Sequence, residues 1–186
     1  RSAALAQQLG AKRFEFMILL LRVHEMEASG NRAAALDLAT EALARDDSSG
    51  VGYVRPGLHG AIALASDDPV QQSEALRQGE MLLATYSVCH NYHWFYRDAM
   101  DVSLRARNWD EARRFAAAYG AYMADEPSPW SEFFIGRCLA LADFGAGESG
   151  HDLKSRLDTL CGEARKVGFK QALPALEDAS NRTTYY

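Results

Sequence analysis

The amino-acid sequence predicts an all-α protein, an α-solenoid in which antiparallel helix hairpins stack on one another. Three observations lead to this prediction. Apolar residues recur at helical spacing, signals that start helices stand between the apolar segments, and the segments come in pairs at a regular interval. The composition agrees, because the 186 residues include only 5 prolines and 14 glycines while 48% are apolar. A β-sheet fold has little support.

The clearest hairpin is predicted at residues 90–125. One face of its first helix carries aromatic and small residues, whereas Arg97 and Arg105 fall on another face. That apolar face consists of Tyr92, Phe95, Tyr96, Ala99, Val102, Ser103 and Ala106. Asn108 then predicts an N-cap and, with Glu111, a capping box that opens the second helix. The inward stripe of the second helix is Ala112, Phe115, Ala116, Tyr119 and Tyr122.

Two hairpins precede it, at residues 2–45 and 51–86. The first helix of the second hairpin is expected either to begin near Pro56, because proline is tolerated in the first turn of a helix, or to be kinked there. Asp68 suits an N-cap and Pro69 the first helical position. The second helix of that hairpin is therefore expected to start at Pro69.

A fourth hairpin is predicted at residues 129–168, since Ser128 and the proline after it repeat the same start signal. A closing helix is expected at residues 170–180. Residues 181–186 carry no pattern and form a tail. All of the helices together are predicted to make a single domain, residues 1–180.

The helix pairs recur at a regular interval. The first inward residues of the second helices are Ala35, Ala75, Ala112 and Leu153, which are separated by 40, 37 and 41 residues. Such pairs are typical of a solenoid, in which each hairpin buries one face on the next. Trp109 and Ala112, three residues apart, resemble the tetratricopeptide pattern, so the hairpins are predicted to be tetratricopeptide-like.

Charge and cysteine usage exclude several classes of function. The net charge is −5 and the two signs are interspersed, so nucleic acid is not an expected partner. The longest apolar run, residues 16–21, is far shorter than the ~20 residues that cross a bilayer, so no membrane association is expected. The 3 cysteines are scattered and form no C-x-x-C pair, which favours a reducing, cytoplasmic compartment. The chain begins with Arg1 rather than Met, which suggests a segment of a longer polypeptide.

No catalytic, cofactor-binding or metal-binding residues are predicted. His90 and His93, with Cys89 and His59, could be assembled into a metal site, since positions i and i+3 share a helix face. The simpler interpretation is that His90 and Asn91 cap the helix. A nucleophilic Cys-His pair is disfavoured, because Cys89 and His90 are adjacent and no third group orients them.

The candidate partner-binding residues are His93, Trp94, Arg97, Asp98 and Arg105. Trp94 leaves the apolar stripe and is either a partner anchor or a residue that packs on the neighbouring hairpin. Arg97 and Asp98 are either a hot-spot pair or an ion pair in solvent or between repeats. The alternative functions are a small-ligand sensor, whose pocket is lined by Tyr92, His93, Trp94 and Tyr96, and a free-standing helical-repeat adaptor.

Four strings spread along the chain carry a family resemblance. They are residues 58–64 (LHGAIAL) with 67–69 (DDP), 79–83 (GEMLL), 90–99 (HNYHWFYRDA) and 126–135 (EPSPWSEFFI). Together they resemble the C-terminal helical region of large bacterial signalling proteins. Those proteins combine a class III adenylate or guanylate cyclase domain, an AAA-type ATPase module and a tetratricopeptide tail. The resemblance extends from about residue 10 to residue 177.

The resemblance implies that the catalytic parts lie elsewhere in a parent protein. This segment would then be its regulatory or partner-binding end, built as a right-handed solenoid. The glycine-rich residues 145–150 lack the lysine of a phosphate-binding loop, so the segment is not expected to turn over ATP. The expected partners are a protein or peptide, other domains of the parent chain, or a second copy of the chain.

Overall fold

The computed structural model describes residues 12–44, 54–86 and 88–183. Most of these residues are helical and none of them forms a β-strand, so the all-α prediction is confirmed. Their nine helices are α1 (Lys12–Ala28), α2 (Arg32–Ala44), α3 (Arg55–Ala65), α4 (Pro69–Tyr86), α5 (Cys89–Arg105), α6 (Trp109–Tyr122), α7 (Pro129–Gly145), α8 (His151–Val167) and α9 (Leu173–Arg182). The predicted start of the first hairpin, residues 2–11, and the end of the tail, residues 184–186, lie outside the described residues.

The chain divides into two compact units, Arg1–Ala99 and Met100–Tyr186, with the boundary inside α5. Within the first unit, α1 packs on α2, α2 on α3, and α3 on α4. Within the second unit, α6 packs on α7, α7 on α8, and α8 on α9. Helices that follow each other in sequence therefore pack together in each unit, as a helical-repeat architecture requires. The single domain at residues 1–180 stays a prediction.

The helix starts of the first unit follow local sequence signals. Helix α3 begins at Arg55, with Pro56 in its first turn as predicted. Helix α4 begins at Pro69, and the Asp68 side chain accepts a hydrogen bond from the Val70 amide at 3.0 Å. Both predicted starts are therefore confirmed, because proline and a capping carboxylate act within one turn of the chain.

In the second unit, the cap at Asn108 is confirmed but the capping box is wrong. The Asn108 side chain accepts a hydrogen bond from the Glu111 amide at 3.3 Å. The Glu111 carboxylate, however, accepts hydrogen bonds from Arg114 at 2.7 and 2.9 Å. A complete capping box forms instead at Ser128, whose partner in the third helical position is Ser131.

The positions that set the repeat interval are all buried. Ala35, Ala75, Ala112 and Leu153 are each at most 5% exposed. The faces predicted for α5 and α6 are also inward over most of their length, but Tyr122 is 39% exposed and Ala106 is exposed. Tyr122 is the last residue of α6 and Ala106 follows the last residue of α5, so each lies where its helix ends.

His90 and Asn91 do not cap α5 as predicted. The helix begins at Cys89, so both residues lie inside its first turn, and the Asn91 side chain is fully buried. Along the stretches that the structure describes, none of the helices combines the length and the apolar character that crossing a bilayer requires.

Candidate interaction site

Helix α5 lies close to α3 and α4 in the first unit because the contacts are made at glycines, which have no side chain to hold the helices apart. A Cβ atom added to Gly60 would lie 3.3 Å from the Phe95 Cα atom and 3.3 Å from the Asp98 carboxylate. A Cβ atom added to Gly79 would overlap the Phe95 ring. The Phe95 side chain is completely buried there, and this fit fixes the position of the helix turn that carries Asp98.

Asp98 is a fully buried carboxylate held by His24 and Arg97. Its Oδ2 atom lies 2.8 Å from Nε2 of His24, and its Oδ1 atom accepts hydrogen bonds from Nε and Nη2 of Arg97 at 3.0 and 2.6 Å. Burial by itself would raise the pKa of Asp98, but Arg97 and His24 outweigh burial and hold that pKa below 3.8. Asp98 is therefore ionised at neutral pH.

His24 connects α1 to this carboxylate. Its Nδ1 atom lies 2.9 Å from the Leu20 carbonyl oxygen, and its Nε2 atom faces Asp98. Both neighbours are hydrogen-bond acceptors, so His24 connects the Leu20 carbonyl of its own helix to Asp98 of α5.

Trp94 contacts both His24 and Arg97. Its ring lies 5.1 Å from the His24 ring, centroid to centroid, and the Arg97 guanidinium carbon lies 4.7 Å from the Trp94 ring centroid. Both distances are in the range of aromatic and cation–π contacts. His24, Trp94, Arg97 and Asp98 form one connected group, which we call the Asp98 cluster.

The structure brings three of the five predicted partner-binding residues together in the Asp98 cluster. Asp98 is fully buried and the Arg97 side chain is 13% exposed, so the pair is an internal ion pair rather than a solvated one. Trp94 is half-buried, as is His93, whose pKa is lowered by burial and by nearby His90. Arg105 is exposed and belongs to the second unit.

Sequence reasoning missed His24, the fourth member of the cluster. It lies 74 residues before Asp98, so no local pattern connects the two. The one available signal was its position on α1, four residues after the buried Leu20 and next to the buried Val23. A histidine on the buried face of a helix needs a polar partner from another element.

Two of the four residues proposed to line a ligand pocket are used in packing. The Tyr92 hydroxyl donates a hydrogen bond to the Leu83 carbonyl oxygen at 3.0 Å. Tyr96 is 7% exposed, and its ring lies 6.2 Å from that of Tyr92 and 5.5 Å from that of Phe95. These contacts hold α5 in place, so they favour a structural role for both tyrosines over a role in a sensor.

His59, which the sequence placed in a possible metal site, is half-buried on α3. Burial and the charge of Arg55 lower its pKa from 6.5 to about 4. It is therefore neutral at physiological pH. Across residues 12–44, 54–86 and 88–183, no three histidine, cysteine or acidic side chains are grouped so that they could hold a metal ion.

The second unit has its own internal charges. Arg137 is 8% exposed and donates a hydrogen bond to Asp101, while Asp143 accepts from Arg113 at 3.0 Å and from Arg156 at 2.9 Å. Asp143 thereby connects α6, α7 and α8. Cys138 lies beside them, and burial, with a smaller effect of Asp101, raises the pKa of its thiol to about 12. Such a thiol is a poor nucleophile.

Comparison with protein-family models, with curated proteins and with solved structures found no match. The functional interpretation therefore depends on the residues themselves. In each unit, one carboxylate connects side chains of different helices: Asp98 connects α5 to α1, and Asp143 connects α7 to α6 and α8.

Proposed function

We propose that this chain is a non-catalytic regulatory and protein-interaction domain from the C-terminal part of a multidomain bacterial signalling protein. The observation that carries the proposal is that the internal carboxylates connect helices. Asp98 joins α5 to α1, and Asp143 joins three helices of the second unit. Charges engaged in this way stabilise a particular packing of helices, whose outer faces then serve as binding surfaces.

The surface that we propose for partner binding is centred on Trp94. Its ring is held by His24 and Arg97, so its remaining accessible edge is presented in a fixed orientation. His93 lies beside it and is also half-buried. Rigid, partly buried aromatic and arginine side chains are the residues that most often dominate binding energy, because little conformational entropy is lost when they bind.

The parent that we propose combines a nucleotide cyclase domain with an ATPase module. Support comes from the four strings that carry the resemblance, since they contribute to helices α3, α4, α5 and α7. Repeat motifs of a helical tail are expected to lie on its helices, and most residues of these strings do. The expected partner is a peptide, another protein or another domain of the parent.

The size of the native polypeptide tests the parent. An antibody raised against this segment should detect a band far above 20.5 kDa in immunoblots of the source cells. Removal of the segment should then change the cyclase output of that polypeptide, whereas the segment alone should produce no cyclic nucleotide. A band near 20.5 kDa would contradict the multidomain proposal.

Affinity capture tests the binding surface. Trp94→Ala and His93→Ala should each weaken capture of the partner at least ~10-fold, because both remove surface at the proposed centre. Val70→Ala is the matched control, since Val70 is 76% exposed on α4 and lies outside the proposed surface. Circular dichroism would verify that the variants are folded. Equal capture by all four chains would contradict the assignment of the surface.

A further inference from the structure

An apolar stripe lies on the side of α1 that faces away from the core. The buried face of this helix carries Phe16, Leu20 and Val23, each at most 4% exposed. The opposite side carries Phe14, Met17, Ile18 and Leu21, which are spaced at i, i+3, i+4, i+7. We call these four residues the α1 stripe.

The ends of the α1 stripe are strongly exposed. Phe14 is 63% exposed and Leu21 is 45% exposed, while Met17 and Ile18 between them are half-buried. Single exposed apolar residues are common on protein surfaces, but four at consecutive helical positions form a contiguous patch. An amphipathic helix normally presents charged residues on its outer side, so this patch indicates a surface that another element covers.

Two opposite charges, Glu15 and Arg22, lie beside the α1 stripe. Glu15 and Arg22 lie on one flank, seven residues apart, which is the same separation as between Phe14 and Leu21. Seven residues are about two helical turns, or roughly 10 Å along the axis. The flank therefore carries an acidic group at one end and a basic group at the other.

We propose that the α1 stripe binds the α1 stripe of a second copy of this chain, with the two helices antiparallel about a two-fold axis near Met17 and Ile18. This operation places Phe14 opposite Leu21 of the other copy. It also brings Glu15 and Arg22 of the two copies together, within about 3 Å of the same axial level. The two-fold axis repeats each contact, so the Phe14–Leu21 contact and the Glu15–Arg22 pair each occur twice in the interface.

The charge pattern favours the antiparallel arrangement over a parallel one. In an antiparallel pair, each flank of a helix meets the same flank of its partner, so the acidic end meets the basic end. In a parallel pair, this flank would meet the opposite flank, and the match of Glu15 with Arg22 would be lost. The inference assigns a surface to one of the expected partners, a second copy of the chain, and this surface lies on a helix separate from Trp94.

The interface is small, so the dimer is expected to be weak. Four apolar side chains from each copy bury less than the ~1,000 Å² of a stable interface, and a dissociation constant on the order of 100 µM is expected. Sedimentation velocity from about 10 µM to 1 mM would detect it as a mass that rises with concentration.

Substitutions in the stripe and on its flank test the interface. Leu21→Glu should raise the dissociation constant at least ~10-fold, because it places a charge in the apolar contact. Val70→Glu is the control, since Val70 is an exposed apolar residue on α4, and it should leave the dissociation constant unchanged. Glu15→Arg and Arg22→Glu should each weaken the dimer, and the double variant should restore it.

Cross-linking tests the antiparallel register. In a Cys89→Ser background, which removes the exposed native cysteine, Ile18→Cys chains should form a disulfide-linked dimer on mild oxidation. Phe14→Cys chains alone should not, whereas a mixture of Phe14→Cys and Leu21→Cys chains should. A monomer throughout the concentration range, a dimer unaffected by Leu21→Glu, or no recovery in the charge-reversed double variant would overturn the inference. A monomer that still captures a partner through Trp94 would leave the proposed function standing.

Discussion

The two compact units hold their internal carboxylates in different environments. In the first unit, the Asp98 side chain has no exposed surface, and its charge is met by His24 and Arg97. In the second unit, the Asp143 side chain keeps 16% of its surface exposed, and it lies between Arg113 and Arg156. Both carboxylates join helices, but only the second has access to water.

This difference in exposure determines what each ion pair contributes. A charge left unpaired in the interior has lost its hydration and has no opposite charge to compensate for that loss. A partly exposed charge is solvated by water when its partner is removed. The first unit should therefore depend on each member of the Asp98 cluster. The second unit should tolerate the loss of one charge from its network.

Removal of the two carboxylates should give the largest contrast. Asp98→Ala leaves Arg97 in the interior without its counter-charge and His24 without its hydrogen-bond partner, and we expect a loss of about 3–5 kcal/mol in the free energy of unfolding. Asp143→Ala is the matched substitution in the second unit, and we expect a loss of about 1–2 kcal/mol, because the side chains there are partly solvated. Urea unfolding of the two variants beside the unsubstituted chain measures both losses. Equal losses would contradict the comparison.

The sequence could predict most of the fold because helix starts are local. Pro56, Asp68 and Ser128 each act within one turn, and the structure has helices where they indicate. The Asp98 cluster could not be predicted, because the contact between His24 and Asp98 spans 74 residues and depends on how α1 packs against α5. Within the candidate site, the sequence indicated Trp94, Arg97 and Asp98 but not the complete burial of Asp98.

Acid should destabilise the first unit through His59. The pKa of His59 is lowered to about 4, so the unfolded chain binds the proton more readily than the folded chain between pH 6.5 and 4. This contribution to stability is fully present above pH 6.5 and is lost as the pH falls towards 4. Each pKa unit corresponds to about 1.4 kcal/mol, so the loss should be about 3 kcal/mol.

Hydrogen exchange at each pH would localise this loss to the first unit. His59→Gln should flatten the pH dependence of stability between pH 6.5 and 4, since Gln does not titrate there. Because the pKa of Asp98 lies below 3.8, the contribution of its ion pairs should persist down to that pH and decrease only below it. An unchanged slope in His59→Gln would show that another group causes the effect.

Two glycines that face aromatic rings extend the comparison to packing. Gly79 faces the ring of Phe95, which is completely buried and cannot move aside, so Gly79→Ala should cost about 1–3 kcal/mol. Gly145 faces the ring of Trp109, but the glycine is exposed and Trp109 is only half-buried. We expect Gly145→Ala to cost less than about 1 kcal/mol, since the ring can shift and alanine favours the helix. Midpoints of urea unfolding compare the two, and a larger loss for Gly145→Ala would contradict the expected order.

Exposed ion pairs should contribute least in both units. Arg32 pairs with Asp67 at 2.8 Å, and their side chains are 32% and 83% exposed. Arg165 pairs with Glu177 at 2.7 Å, and their side chains are 59% and 42% exposed. Asp67→Asn and Glu177→Gln should each change the free energy of unfolding by at most about 0.5 kcal/mol, because water solvates both partners. Even this change should vanish in about 1 M salt, because the screening length there is near 3 Å. The loss in Asp98→Ala should persist at that salt concentration, because buried charges are screened much less. Urea unfolding at low and high salt separates the two cases, and a salt-sensitive loss in Asp98→Ala would mean that water reaches the Asp98 cluster.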